Sequence, residues 1–274
     1  MNLKYLLLRL IRRFMPERLT RFLLRRGLVI RPGLETREPA SAVARYRATL
    51  EARGAALTGK RILVFGYGGN FAVAAELLRA GASHIVLLDR FAPPDDRRNR
   101  ELVRMYPEYF LLQNGQVKTA DAFITLIHDD VKKVRVAEKF DLALSSSVYE
   151  HLDDVDGLTA ALAALTAPNG IHIHYVDLRD HYFKLPFEML KFSEGTWKRW
   201  LNPTSNLNRF RLRDYQRVFD TYFSEVTINV LAREPEAFAR ARSQIRPEFL
   251  EGDEAHDAVT LIEVVALKAK TRFL

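Results

Sequence analysis

The sequence predicts an α/β fold in which a mostly parallel sheet is covered by helices on both faces, and three observations lead to this prediction. From about residue 40 onward, short apolar segments alternate with amphipathic ones, as strands and helices do along a parallel sheet. The first apolar segment runs into a glycine-rich corner, RILVFGYGGNF at residues 61–71. The second ends in Asp89, 23 residues after the first glycine of that corner.

The strand candidates are apolar segments between turn-forming residues, and the helix candidates have apolar residues at helical spacing. The predicted strands are Arg61–Phe65, Ile85–Asp89, Phe123–His128, Asp141–Ser145, Gly170–Val176, Val226–Leu231 and Val259–Leu267. The predicted helices include Phe71–Ala80, Val155–Thr166 and Leu212–Tyr222.

The composition limits the class of protein. Of the 274 residues, 48% are hydrophobic, which is enough for a sizeable core. The absence of cysteine excludes disulfides, thiolate metal sites and a cysteine nucleophile, and it fits a cytoplasmic protein. The apolar runs are far shorter than the roughly 20 residues of a membrane-spanning helix. The seven histidines lack the spacing of a ligand set, so we expect no metal site.

The net charge of +8 is concentrated at the N-terminus. Residues 1–33 carry nine basic side chains and one acidic one, whereas the 33 basic and 33 acidic residues of the remainder cancel. We predict a basic amphipathic helical arm over residues 1–36, interrupted at Met15-Pro16, and a separate domain over residues 40–274. At 100° per residue the first helix has one apolar and one basic face. The apolar face holds Leu3, Leu6, Leu7, Leu10, Ile11 and Phe14, and the basic face holds Lys4, Arg9, Arg12 and Arg13.

Two roles for this arm are left open by the sequence. A basic amphipathic helix binds the headgroup region of an anionic membrane, which would give the protein a peripheral contact with the cytoplasmic membrane face through residues 1–33. Alternatively, the arm packs on the domain or on a second subunit. Nucleic acid is not an expected partner, because the rest of the chain has no basic stripe interleaved with aromatic residues. The oligomeric state is not indicated.

The glycine corner predicts a ligand site. Gly66, Gly68 and Gly69 remove side chains from the turn after the first strand, at the edge of the sheet where ligands bind in such folds. The helix that begins near Phe71 directs free N–H groups into the same space. Asp89 has the spacing of the acid that accepts hydrogen bonds from both ribose hydroxyls. Together these features predict a cofactor that contains a nucleoside.

Phe71 distinguishes between two kinds of cofactor. A dinucleotide needs a third glycine at this position, where the helix packs closely under a pyrophosphate, and phenylalanine argues against it. S-adenosylmethionine (SAM) has a ribose and no phosphate, so it needs the tight turn and the acid but not the third glycine. The sequence therefore favours SAM over a nicotinamide dinucleotide.

Four segments, in order, resemble the successive motifs of class I SAM-dependent methyltransferases: ILVFGYGGN, IVLLDRF, FDLALSSSVYEHLDD and LTAPNGIHIHYVDLRDH. The resemblance runs from about residue 45 to the end. The segment VDLRDH, followed by LKFSEGTW and NRFRLRDY, resembles a subgroup of methyltransferase-domain proteins with a Val-Asp-Leu-x-Asp-His segment after the fifth strand. The resemblance implies a three-layer, Rossmann-like, seven-stranded sheet with an antiparallel last strand.

The resemblance also implies which residues hold SAM. By this resemblance, Gly66 and Gly68 border the methionine portion and Asp89 holds the ribose. Asp129 or Asp130 meets the adenine amino group, and Ser145 and Ser146 lie under the sulfonium. Phe65, Tyr67 and Arg90, next to these residues in the chain, complete the predicted cofactor site.

His181 is the candidate catalytic base or acceptor-orienting group, with Asp177 or Asp180 as its partner. These residues follow the fifth predicted strand, and histidine titrates nearest to neutral pH. Alternatively, the segment folds its own loop through side-chain to backbone hydrogen bonds. Residues 181–211 form a connection too long for a plain turn, so we predict a cap that recognises the acceptor. Asn206, Asn208 and Arg209 in it either contact substrate or anchor the cap.

The predicted function is methyl transfer from SAM to a hydroxyl or amine of a small-molecule, glycan or lipid-linked acceptor. A nicotinamide-dependent oxidoreductase is the enzymatic alternative. The non-enzymatic alternative is a catalytically inactive nucleoside-binding protein of the same fold. It is suggested by Val64, because the family often has an acid at this position, two residues before the first glycine.

Overall fold

The computed structural model describes residues 2–16, 19, 34–180, 185–202 and 207–270. The described strands are β1 (Arg61–Phe65), β2 (His84–Leu88), β3 (Phe110–Gln113), β4 (Gln116–Thr119), β5 (Ile124–Ile127), β6 (Phe140–Ser146), β7 (Thr166–Asp177), β8 (Phe223–Arg233) and β9 (Val259–Ala269). The described helices are α1 (Leu3–Phe14), α2 (Leu34–Arg37), α3 (Pro39–Glu51), α4 (Ala72–Arg79), α5 (Asp96–Met105), α6 (Val155–Leu165), α7 (Glu194–Thr196), α8 (Leu212–Tyr222), α9 (Pro235–Ala241) and α10 (Glu254–Asp257).

Seven of these strands form one sheet in the order β5-β2-β1-β6-β7-β9-β8. The five strands from β5 to β7 pair in parallel. The last strand of the chain, β9, lies between β7 and β8 and is antiparallel to both. The predicted seven-stranded, mostly parallel sheet with an antiparallel last strand is therefore confirmed. The order places the carboxyl ends of β1, β2 and β6 side by side at one edge.

Helices cover both faces of the sheet, as predicted. On one face, a buried apolar cluster joins α3, α4 and α5 to the strands through residues such as Tyr46 and Leu77. On the other face, α6 and α8 contribute residues such as Leu162 and Phe219 to a second cluster. Burial of these apolar side chains is the main favourable term for such a three-layer fold.

A β-hairpin that the sequence reading missed lies between β2 and β5. Strands β3 and β4 pair antiparallel, and their turn holds Asn114 and Gly115 with φ of 52° and 79°. Positive φ at both central residues is typical of the tight turn that Asn-Gly forms in hairpins. The hairpin packs on the corner, since the Phe110 and Phe71 rings stack with centroids 5.8 Å apart.

A third buried cluster joins α1 to the described part of the 181–211 connection and to α9. The connection contains a 3₁₀ turn (Glu188–Lys191), α7 and a π-helical turn (Trp197–Leu201). Helix α1 begins after Asn2, whose side chain accepts a hydrogen bond from the Tyr5 N–H at 3.1 Å. The second arm helix predicted after Pro16 lies outside the described residues except for Leu19. Among the described residues, no helix has the length and apolar content to cross a membrane.

Candidate functional site

The backbone of the glycine corner after β1 has a conformation that favours glycine. The φ angles of Gly66, Gly68 and Gly69 are 75°, 65° and 80°, in the left-handed region where a Cβ atom is strained. A Cβ on Gly66 would also lie 2.5 Å from Cγ2 of Val148, and one on Gly69 would lie 2.5 Å from the Pro93 carbonyl oxygen. Glycine is therefore required at both positions by conformation and by close approach.

A cavity of about 190 Å³ opens beside this corner, at the carboxyl ends of β1 and β6. This is the edge of the sheet at which ligands bind in open α/β folds. The cavity has both polar and apolar walls. Its lining residues are Glu35, Val64, Gly66, Tyr67, Gly68, Asn70, Val73, Leu87, Ser146 and Ser147.

Asp89 joins the end of β2 to the glycine corner. Its Oδ2 accepts a hydrogen bond from the Gly68 N–H at 3.0 Å, and its Oδ1 accepts one each from the Phe91 and Ala92 N–H groups at 2.8 Å. The residue is only 8% exposed. A carboxylate has about four lone-pair sites, so three backbone donors leave capacity for a hydroxyl donor of a ligand.

Arg90 and Asp130 form an ion pair across the ends of β2 and β5, with Nη1 and Oδ2 3.0 Å apart. Oδ1 of Asp130 also accepts the Lys132 N–H at 3.0 Å and caps a 3₁₀ turn. Asp129 is exposed, and its Oδ1 accepts the Asp130 N–H at 2.7 Å. Of the two aspartates predicted to meet adenine, Asp130 is therefore committed to protein contacts, whereas Asp129 faces solvent.

The two serines that end β6 point to opposite faces of the sheet, as the twofold alternation of a strand requires. Ser146 lines the cavity. Ser145 is buried, and its Oγ lies 2.7 Å from Nδ1 of His174. The next residue, Ser147, has φ of 55°, a strained value for serine. Of the predicted pair, Ser146 is thus the one whose side chain borders the cavity.

Ser145 begins a buried chain of hydrogen bonds that ends at α6. Nε2 of His174 lies 3.2 Å from Nδ1 of His172, whose Nε2 lies 2.7 Å from Oγ1 of Thr166. Because the Thr166 hydroxyl donates to the Leu162 carbonyl oxygen at 2.8 Å, each histidine donates through Nε2 and accepts at Nδ1. Burial lowers the pKa of His172 to about 3 and holds that of His174 well below its usual value. Both rings are therefore neutral.

The two carboxylates predicted to assist His181 are held by arginines, while His181 itself lies outside the described residues. Asp177 accepts hydrogen bonds from Nε and Nη2 of Arg179 at 2.8 and 2.9 Å. Asp180 accepts from Nε of Arg9 at 2.8 Å and from the Tyr5 hydroxyl at 2.6 Å. Neither carboxylate is among the described residues that line the cavity.

Glu35 is a cavity residue that the sequence reading missed. It lies on α2, in the segment predicted as part of the N-terminal arm, and it lines the same cavity as Val64, the β1 residue two positions before the first glycine of the corner. The Tyr46 hydroxyl donates to its Oε1 at 2.5 Å, and burial raises the pKa of the Glu35 carboxyl. The sequence feature that pointed to a missing acid was Val64, an apolar residue at a position where the resemblance expects Asp or Glu.

Two of the three polar residues singled out in the 181–211 connection anchor it to the domain. The Asn208 side chain donates to the carbonyl oxygens of Tyr149 and Leu152 at 2.7 and 3.2 Å. Arg209 is buried, and its Nη1 donates to the Met189 and Phe192 carbonyl oxygens. Asn206 lies outside the described residues. The anchoring alternative therefore accounts for Asn208 and Arg209.

Comparisons with known proteins agree with this architecture. The profile of the family described as "Methyltransferase domain" matches residues 11–234. No protein of curated function matches significantly. Among solved structures, magnesium protoporphyrin IX methyltransferase of Synechocystis PCC 6803, crystallised with bound S-adenosylhomocysteine (SAH), is 14% identical with a TM-score of 0.50 over 84% of this chain and 82% of that one.

Two further solved structures align with most of this chain at lower scores. One is the complex of the Haloferax volcanii Trm112 methyltransferase activator with a methyltransferase, at 12% identity and a TM-score of 0.48 over 86% of this chain and 96% of that one. The other is an S-adenosylmethionine-dependent methyltransferase from Mesorhizobium loti, at 19% identity and a TM-score of 0.44 over 80% of this chain and 96% of that one. At 14% identity the likeness to the magnesium protoporphyrin IX methyltransferase concerns the fold alone. Because the family profile matches well over half of the chain, this protein belongs to the methyltransferase-domain family.

Proposed function

We propose that the protein transfers the methyl group of SAM to a hydroxyl or amine of a small-molecule, glycan or lipid-linked acceptor. The observation that carries this proposal is the pairing of the Gly66–Gly69 corner with Asp89 beside a cavity at the carboxyl edge of the sheet. SAH bound to the magnesium protoporphyrin IX methyltransferase of similar fold supports the choice of cofactor. SAM supplies an electrophilic methyl group on a sulfonium; the protein residues bind and orient the reactants.

The residues present fit SAM at its two polar ends. Asp89 retains capacity for a ribose hydroxyl donor. At the other end, the carboxylate of Glu35 lines the cavity together with the backbone of Gly66 and Gly68. We propose that Glu35 accepts hydrogen bonds from the α-ammonium of the methionine portion, because a partly buried carboxylate that meets a cation makes a strong, charge-assisted hydrogen bond. In this account Glu35 supplies the acid that Val64 does not.

The remaining predicted contacts are proposed in the same arrangement. Ser146 borders the cavity next to the corner, near the position expected for the sulfonium. Exposed Asp129, at the end of β5, is the residue proposed to meet the adenine amino group. The ion pair between Arg90 and Asp130 then holds together the loops after β2 and β5. Ser145 supports the end of β6 from the opposite face of the sheet through its hydrogen bond with His174.

Phe71 supports SAM over a dinucleotide. The residue is fully buried, and its backbone N–H donates to Oδ1 of Asn99 at 2.9 Å. A pyrophosphate bound at this helix would need free N–H groups and a close backbone approach. Here the N–H is occupied by Asn99 and the ring fills the space toward Phe110. The nicotinamide-dependent alternative therefore has no structural support at this position.

We propose that His181 orients or deprotonates the acceptor and that residues 181–211 recognise it. Asp177 and Asp180 are engaged by Arg179 and Arg9, so we assign them a positioning role on this segment. A cytoplasmic location is supported by the absence of cysteine.

A thermal-shift panel tests the proposal. Ligands that bind only the native state raise the melting temperature, so SAH is expected to stabilise the protein and NAD to have no effect. Stabilisation by NAD alone would favour the oxidoreductase. Stabilisation by SAH without turnover on any hydroxyl or amine acceptor would favour the inactive nucleoside-binding protein, whereas no response to either ligand would contradict the cofactor assignment.

A further inference from the structure

Helix α1 buries its polar side and exposes its apolar side. The residues buried against the domain are Tyr5, Arg9 and Arg12, which lie within about 60° of one another at 100° per residue. Soluble helices normally have the opposite arrangement, with apolar residues against the core. Leu6 and Leu10 pack only partly against the third cluster. The predicted apolar face of the arm is thus mostly turned outward.

Asp180 explains why the polar side faces inward. This carboxylate is fully buried, and a buried charge requires a charged or hydrogen-bonding partner. Arg9 supplies a guanidinium that pairs with Asp180 and lies over the Trp197 ring, with Cζ 4.7 Å from the ring centroid. Tyr5 adds a hydroxyl donor at 2.6 Å. The orientation of α1 is therefore fixed by specific polar contacts.

The outward side of α1 is a continuous apolar stripe. Leu3, Leu7, Ile11 and Phe14 are 71%, 59%, 49% and 72% exposed, and they fall within an arc of about 80°. We call these four residues the α1 stripe. A contiguous exposed apolar surface of this kind marks an interaction site more often than scattered single residues do.

Cationic and aromatic side chains lie beside the α1 stripe. Exposed Lys4 is on the same helix, and Nε of Arg13 donates to the Arg199 carbonyl oxygen at 3.3 Å. This contact brings the end of α1 next to Trp200, which is 45% exposed. Tryptophan is enriched where proteins meet the membrane interface, and lysine and arginine are attracted to anionic lipids.

We propose that the α1 stripe, with Trp200, docks the protein on an anionic phospholipid surface. Charge complementarity selects this occupant over a second copy of the chain or another protein: residues 1–33 carry a net charge of +8, while the rest of the chain is neutral. The four apolar side chains enter the headgroup boundary, and the exposed Lys4 and Arg13 meet the lipid phosphates. This inference does not depend on the identity of the cofactor.

Docking in this way would place the carboxyl edge of the sheet, which holds α1 through Asp180, on the membrane side of the protein. Asp180, which holds α1, lies three residues beyond Asp177 at the carboxyl end of β7. The same edge carries the glycine corner and the cavity. Among the proposed acceptors, a lipid-linked one would therefore reach the site from the surface on which the protein is docked.

Vesicle co-sedimentation of the full chain tests the proposal. The test variant is Leu7→Gln/Phe14→Gln, which changes exposed residues and leaves Tyr5, Arg9 and Asp180 in place. The matched control is Leu111→Gln/Leu112→Gln, two leucines on β3 that are 46% and 51% exposed. Wild type and control are expected to pellet with phosphatidylglycerol vesicles but not with phosphatidylcholine vesicles. The α1 variant should partition about tenfold more weakly, and added salt should release the wild type.

Melting temperatures equal to that of the wild type verify that both variants are folded. Equal pelleting of the α1 variant and the wild type would overturn the proposal, and so would a wild type that stays in the supernatant with anionic vesicles. Light scattering after size exclusion identifies the competing occupant: a wild-type dimer that the α1 variant converts to a monomer, without vesicle binding, would assign the stripe to a second copy of this chain.

Discussion

The Asp89 carboxylate accepts a hydrogen bond from the Gly68 N–H at 3.0 Å, and this contact links the end of β2 to the turn after β1. The two segments are 21 residues apart in the chain and adjacent in the sheet. The carboxylate thus has two tasks in our account: it shapes the glycine corner, and it receives a hydroxyl of the cofactor's ribose.

Replacement of Asp89 by Asn tests both tasks. The amide nitrogen of Asn donates rather than accepts, so either the Gly68 N–H or a ribose hydroxyl loses its acceptor. We expect SAH affinity to fall about 30- to 100-fold, as for the loss of a hydrogen bond to a charged group. Calorimetric titration gives the affinity, and Asp121→Asn, at an exposed position after β4, is the matched control. Wild-type affinity in Asp89→Asn would contradict the assignment.

Replacement of Glu35 by Gln tests the contact with the methionine portion. The substitution keeps the shape and removes the charge, so we expect SAH to bind about tenfold or more weakly. Methylthioadenosine, which has the same nucleoside and no ammonium, serves as the control ligand. Its affinity should be unchanged by Glu35→Gln and reduced by Asp89→Asn. If Glu35→Gln weakened both ligands equally, Glu35 would act on the fold of the cavity and not on the ammonium.

Phe71 is expected to matter for stability. Its ring is fully buried between the corner and the hairpin, so Phe71→Ala should lower the free energy of unfolding by about 3–5 kcal/mol through lost burial and a cavity. Phe91→Ala, at a ring that is 83% exposed, should change it by less than about 0.5 kcal/mol. Urea denaturation measures both. A Phe71→Ala variant that gained NAD affinity would revive the dinucleotide alternative.

The buried pair His172 and His174 predicts a loss of stability in acid. Both have pKa values lowered by burial, that of His172 to about 3, whereas an unfolded histidine titrates near pH 6.5. Between these values the unfolded chain binds more protons, so stability falls as pH decreases from about 6.5 toward 3, by up to about 1.4 kcal/mol per pH unit for each histidine.

The pH dependence of urea unfolding for wild type and His172→Gln isolates this contribution, because the other titrating groups are common to both proteins. The variant is expected to be less stable at neutral pH and to have a shallower slope between pH 6 and 4.5. Parallel slopes would mean that His172 gains no proton on unfolding in this range, contrary to its neutral state in the native protein.

The fold was predictable because its signals are local and repeated. Apolar strands alternating with amphipathic helices, the glycine corner and the position of Asp89 all follow from spacing along the chain. Element ends were less predictable: β7 begins at Thr166, immediately after α6, and not at Gly170. The β3–β4 hairpin was missed although Asn114 and Gly115 are a hairpin signal, because its strands are only four residues long.

The candidate site was predictable only where it depends on such local signals. The two serines that end β6 were predicted together, although period-two alternation along the strand places Ser145 and Ser146 on opposite faces of the sheet. Val64 indicated that the corner lacks its usual acid, but it did not indicate Glu35 as the replacement, because α2 reaches the cavity through packing against the domain and no motif spacing relates it to the glycine corner. The inward orientation of Arg9 was hidden for the same reason: it depends on Asp180, 171 residues away.

A crystal structure of the full chain grown with saturating SAH tests the central claim most directly. The account predicts one SAH beside the glycine corner, with a ribose hydroxyl within hydrogen-bonding distance of Asp89 and the ammonium facing Glu35. A structure in which SAH lies elsewhere on the chain, or in which well-folded protein takes up no SAH, would contradict it.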